Sequence, residues 1–207
     1  MEVYNRIILG IDQSYARTGI CLLTEKNGTI KKRILRSVAL EREKNNTDRR
    51  LRLKHELEKI LSVTHNLAKE YIVLVERIRH FSKNFLNINY IKSIGALNAT
   101  IVDACNHYGI EVFSVDTRCW KSTVVGTSKP KCNKMGIQPE KFPTVRWCVK
   151  RGWEEELRLI LPKNTRKKKG VLESNGVKFE YDCDAADAAA IAFFGFLGSK
   201  NKMQLER

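Results

Sequence analysis

Apolar positions change period several times along the chain, and each change marks an element. Residues 6–12, RIILGID, form a short apolar run that closes on an aspartate. Residues 17–24, RTGICLLT, form a second run, and residues 31–40 form a third after the Asn27-Gly28 pair. An Asn-Gly pair between such runs favours a two-residue hairpin, because both residues tolerate the positive φ that the turn requires. These segments predict a three-strand antiparallel meander. Beyond it Leu53, Leu57, Ile60, Leu61, Leu67 and Ala68 recur at helical spacing behind Asn46, Thr47 or Asp48, any of which can cap the helix start. Residues 71–76, YIVLVE, are nearly all apolar until the closing glutamate. A strand of that kind belongs in the middle of a sheet, covered on both faces.

A second long helix is expected over 86–107, where Ile91, Ile94, Leu97, Ile101 and Ala104 form one stripe and Gly95, Ala96 and Ala99 suit close helix packing. A fifth strand follows over 110–115, then a short helix over 117–125 and another, with Pro143 in its first turn, to Arg151. The last helix covers 183–197, alanine-rich early and phenylalanine-rich late. The pattern predicts an α/β fold: a five-stranded mixed sheet, three antiparallel strands and then parallel ones, flanked by helices. Two polar stretches, 127–142 and 162–176, read as basic insertions in a single domain spanning 1–207. The first carries four lysines, Lys141 among them, and the second contains the dense Arg166–Lys169 run.

Composition adds a partner. Lysine and arginine total 38 against 23 acidic residues, a net charge of +15 over 207 residues. A field of that sign attracts phosphate backbones, which favours nucleic acid over an anionic membrane. Hydrophobic residues at 43% and charged residues at 29% exclude a disordered or fibrous chain. No apolar run reaches the ~20 residues of a membrane span, and the opening MEVYNR leads into no signal-peptide core, so a soluble intracellular protein with no membrane partner is expected. The six cysteines show no CxxC and no Cys/His spacing suited to zinc, and read as reduced thiols.

The chemistry gathers around four acids. Asp12 closes the first strand, Glu76 closes the fourth, and Asp184 and Asp187, three apart, share one face of the last helix. A long helical connection makes the first and fourth strands candidates for a parallel adjacent pair, about 4.8 Å apart, with Asp12 beside Glu76. Four carboxylates at one edge repel unless a divalent cation offsets them. Hard oxygen ligands without cysteine or histidine favour Mg²⁺, with Mn²⁺ as a substitute. Two such ions, roughly 3.5 to 4 Å apart, would activate water on one side of a phosphodiester and stabilise the leaving oxygen on the other. Taken singly, each acid has a blander explanation: Asp182 and Asp184 as helix-start acids, Glu76 as a partner of Arg77 or Arg79, Asp12 as a turn residue. Their joint placement is what those explanations leave over. Phe81, Phe85 and Tyr90, interleaved with Lys83 and Lys92, can stack on exposed bases or serve the core or a dimer interface. Trp120, Trp147 and Trp153 read as packing residues, and the four histidines as surface residues.

Residues 7–23 (IILGIDQSYARTGICLL), 73–76 (VLVE) and 184–194 (DAADAAAIAFF) resemble, in order and spacing, the first-strand, fourth-strand and final-helix motifs of the RuvC-type Holliday-junction resolvases of the ribonuclease H superfamily. KSTVVG (121–126) resembles the basic helix and turn ahead of their DNA-contacting part. The resemblance implies a ribonuclease H-like fold and Asp12, Glu76, Asp184 and Asp187 as catalytic ligands of two Mg²⁺ ions. It also implies Lys121 as a contact near the scissile phosphate, and a homodimer that nicks a four-way junction symmetrically. Arg79 stands where family members often place a base-wedging aromatic, and Phe81 is the nearest aromatic; with Lys83 and Lys141 they complete the candidate DNA-contacting set. The long basic insertions suggest a divergent viral, phage or organellar branch. Other readings keep the fold and change the role, to a nuclease of RNA–DNA hybrids or transposon ends or to a catalytically silent DNA-binding scaffold. GIDQSYARTG also resembles the phosphate-binding hairpin of sugar kinases and actin-like ATPases, but two such lobes need about twice this chain and no second glycine-rich motif is present, so no nucleotide cofactor is expected.

Overall fold

The computed structural model describes residues 3–77, 88–126, 142–161 and 172–201. Its main sheet is built from β1 (Tyr4–Asp12), β2 (Arg17–Lys26), β3 (Thr29–Ala39), β4 (Ala68–Glu76) and β5 (Val112–Val115) in the order β3-β2-β1-β4-β5. The first three strands are antiparallel neighbours, while β4 pairs parallel with β1 and with β5. Asn27 and Gly28 adopt φ of 53° and 73°, the left-handed pair that closes the β2–β3 hairpin. Asn45, one residue before the expected caps, starts α1 (Asn46–Thr64), its side chain accepting a hydrogen bond from the Asp48 N–H.

Alternation along the strands sorts the core into two halves. Ile7, Leu9 and Ile11 of β1, with Ile20, Leu22, Val73 and Val75, meet Leu53, Leu57 and Leu61 of α1 and Ile94, Leu97 and Ile101 of α2 (Ile88–Asn106). On the opposite face Ile8, Cys21, Leu23, Ile72 and Leu74 meet α5 (Cys183–Asn201), Trp120 of α3 (Thr117–Trp120), and Val145 and Cys148 of α4 (Phe142–Lys150). Trp147 and Trp153 close that half against Phe193, with ring centroids 5.2 and 6.4 Å away. The three tryptophans are packing residues, as expected from the sequence.

Two expectations need correction. The short helix over 117–125 divides into α3 and a π-helical turn, Lys121–Val125, that ends on Gly126 at φ 81°. The stretch 162–176 is not polar excursion throughout, because β7 (Leu172–Ser174) and β8 (Val177–Tyr181) form a hairpin around Asn175-Gly176 and join β6 (Arg158–Ile160) in a second sheet, β6-β8-β7. These strands are too short to show a period, and Ile160, Leu172 and Val177 are exposed, leaving Phe179 as the one buried residue among them. Residues 127–141 and 162–171 lie outside the described residues.

Candidate active site

Ile11 of β1 pairs with Val75 of β4, so Asp12 and Glu76 follow at the same end of adjacent parallel strands. Both share the parity of Ile8 and Leu74, which places them on the face that α5 covers. Directly across from Asp12 on β2 stands Gly19, and across from Gly19 on β3 stands Ser37. This row fixes the start of α5. A Cβ at Gly19 would lie 1.9 Å from the Asp184 carbonyl oxygen, and one at Gly10 would lie 2.4 Å from backbone atoms of Ala188 and Ala192. Helix backbone therefore rests on strand backbone, an approach that side chains at either glycine would forbid. The Ser37 hydroxyl donates to Asp182 Oδ2 at 2.6 Å, while Asp182 Oδ1 accepts from the Ala185 N–H at 3.0 Å. Asp182 is thus the helix cap, which leaves Asp184 and Asp187 beyond the capping position. Asp184 lies over Gly19, opposite Asp12, and Asp187 follows one turn along the same helix.

Asp12 and Asp187 are buried, at 6% and 4% exposure. Thr117, the first residue of α3, donates its hydroxyl to Glu76 Oε1, and Thr144 of α4 donates its hydroxyl to Asp187 Oδ1. Gln13 Nε2 donates to the Glu76 carbonyl at 2.9 Å and ties the ends of β1 and β4 together. Arg17 enters β2 on the same face, bonded to Glu41 at 3.1 Å. Burial would lower its pKa, but Glu41 and the nearby charges of Asp182 and Asp184 hold the guanidinium above its ordinary value. Lys121 opens the π-helical turn with Nζ 4.9 Å from the Trp120 ring centroid, on a segment that packs against α5.

Strand register sets Asp12 and Glu76 side by side, and the glycine contacts set the first turns of α5, with Asp184 and Asp187, over the same end of the sheet. As the side chains stand, no three of the histidine, cysteine, aspartate or glutamate groups among the described residues are arranged to hold a metal ion. The donor set nonetheless fits a hard divalent cation: carboxylate oxygens alone, two of the four carboxylates buried. Beside them Gln13 Oε1 is buried without a hydrogen-bond partner among the described residues, an acceptor that water around an ion would satisfy. Arg79, Phe81, Lys83 and Lys141 lie outside the described residues. Sequence reasoning missed Gln13, Arg17, Thr117 and Thr144. Adjacency to Asp12 was the one signal for Gln13, and the threonines sit 41 and 43 residues from the acids they touch.

The whole chain follows a known architecture. It superposes on the Thermus thermophilus RuvC structure with a TM-score of 0.56 at 18% identity, over 94% of this chain and 96% of that one. T. thermophilus RuvC in complex with Holliday junction substrate gives a TM-score of 0.59 at 15% identity with the same coverage. The chain has the ribonuclease H-like fold of RuvC. The yeast mitochondrial Holliday junction resolvase Ydc2 is also similar, with a TM-score of 0.46 at 18% identity over 95% of this chain and 79% of that one. By sequence, neither a family model nor a curated protein matches. Within the RuvC-like fold of this chain, the acids stand at the ends of β1 and β4 and in the first turns of α5.

Proposed function

We propose that this chain is a divalent-metal-dependent, structure-selective endonuclease that resolves four-way DNA junctions as a homodimer. The observation that carries the reading is the coincidence of a RuvC fold over 94% of the chain with Asp12 and Glu76 at the same end of adjacent parallel strands and the start of α5, which carries Asp184 and Asp187, resting on that end of the sheet. Asp12, Glu76, Asp184 and Asp187 would hold Mg²⁺ or Mn²⁺, two ions in the full site. Bound there, the ions supply the activation of water and the stabilisation of the leaving oxygen in phosphodiester hydrolysis. The protein's share is placement. Strand register fixes the spacing of Asp12 and Glu76, and the glycine contacts fix the height of α5 above them. Lys121, beside the same helix, is positioned to meet a phosphate of the strand being cut, and the net charge of +15 draws the polyanion in.

A second copy has a surface to use. Ile88 is 61% exposed at the start of α2, and Ile91, Ala99 and Val102 continue its partly exposed stripe past Gly95, where an added Cβ would meet nothing within 4 Å among the described residues. Small residues on such a stripe let two helices cross closely, and two-fold symmetry would match that of a four-way junction.

Incubation with a labelled four-way junction and Mg²⁺ should give paired, symmetric nicks and spare a linear duplex. Asp12→Asn and Glu76→Gln should each lower cutting by more than the ~100-fold that loss of an outer-shell partner costs, with junction binding within about threefold of wild type. Undiminished cutting by either variant rejects the metal assignment, and preferential cutting of an RNA–DNA hybrid rejects the substrate.

A further inference from the structure

Three other threonine hydroxyls donate to a backbone carbonyl close by: Thr18 to Ser14, Thr64 to Ile60 and Thr100 to Ala96, each four residues back. For Thr64 and Thr100, both in helices, that is the ordinary outlet. Thr117 and Thr144 do otherwise. Each reaches across the fold to a carboxylate, and the two carboxylates are Glu76 and Asp187, half of the proposed ligand set. The two threonines come from different helices, α3 and α4, that approach the sheet edge from outside it. Thr144 is 1% and Asp187 4% exposed, so the hydroxyl and its acid form a buried pair.

We infer that Thr117 and Thr144 are positioning residues for the metal ligands, each fixing one oxygen of a carboxylate and so setting the plane in which the group ligates. A carboxylate has two oxygens; when one accepts a fixed O–H bond, the rotation that would swing the group away from an ion is restricted. The pair also links α3 and α4 to the ligands, so the acids are oriented by elements outside the sheet that carries Asp12 and Glu76. The inference rests on the metal-dependent reading above and assigns residues that reading does not need.

The test is Mn²⁺ affinity of the full-length protein, followed by the electron paramagnetic resonance of free Mn²⁺, without DNA. Thr117→Val and Thr144→Val keep side-chain shape and remove the donor, and each should weaken Mn²⁺ binding by about tenfold or more, the scale on which outer-shell partners act. Thr117→Ser and Thr144→Ser restore the donor and should bind within about threefold of wild type. A valine variant with wild-type or tighter affinity overturns the assignment, as does a serine variant as weak as its valine counterpart. Asp187→Asn and Glu76→Gln separate the two readings. If they bind Mn²⁺ as wild type does, the metal site itself is wrong, whereas if they lose Mn²⁺ and the valine variants do not, the positioning role alone fails. Thr117 is the partly exposed member, so its variants keep the test decisive if the buried Thr144→Val destabilises the fold.

Discussion

At the scale of single residues, burial sets reactivity as firmly as it sets packing. Cys105 and Cys148 are both pushed up to about 12, by burial first and, for Cys148, by the charge of Asp187 next. Burial drives Cys21 well above the ordinary thiol range as well. Thiolate is the reacting form, so near neutral pH these three should be inert in the folded protein. Cys119 is exposed on α3. Brief treatment with iodoacetamide at pH 8, read by peptide mass, should therefore label Cys119 and leave Cys21, Cys105 and Cys148 unmodified until denaturant is added. Labelling of Cys148 as fast as Cys119 would show that the packing between α4 and α5 is looser than described. Cysteine spacing alone predicts reduced thiols; which of them react follows from the two-sided core, which only the fold displays.

At the scale of elements, the contact of α5 with the sheet is the critical joint. Gly19→Ala would put a methyl group 1.9 Å from the Asp184 carbonyl, with backbone rather than a flexible side chain as the neighbour. Overpacking of this kind costs about 1–3 kcal/mol and more where nothing can yield, so a large fall in melting temperature is expected, with loss of cutting in whatever remains folded. Gly95→Ala, at a position with open space around it, should melt at or above the wild-type temperature, since alanine is the better helix former. A Gly19→Ala protein as stable as wild type would mean that α5 does not sit at backbone distance. Strands β1, β2 and β4 were legible from sequence because their apolar runs are long, those of β1 and β4 closing on carboxylates, and the hairpin turn because Asn27-Gly28 has few other uses. The cap of α1 was one residue off because Asn45, Asn46, Thr47 and Asp48 offer equivalent side chains in a row. The second sheet was illegible because its strands are short and bury a single residue, Phe179. The acids could be proposed as a set, but the hydroxyls that orient two of them could not, since a threonine forty residues away carries no local mark.

At the scale of the whole molecule, assembly turns on α2. The exposed stripe of α2 is the surface on which the homodimer proposal stands. Gly95→Glu would set a charge into that stripe without touching the core, because nothing among the described residues lies within 4 Å of the new Cβ. Sedimentation should show wild-type dimers and Gly95→Glu monomers with similar melting temperatures, and the monomer should lose paired nicking before it loses metal binding. Wild-type protein that sediments as a monomer at micromolar concentration would remove the two-fold argument while leaving the carboxylate edge in place.

The order in which the site is completed has its own result. All five strands of the main sheet, with Asp12 and Glu76, precede α5 along the chain, while Asp184 and Asp187 arrive with that helix and are held by its contact with Gly19. On the proposed function, a chain that has made its five strands but not α5 holds two of its four candidate acids, so the ability to cut DNA would arrive together with the helix that closes one half of the core.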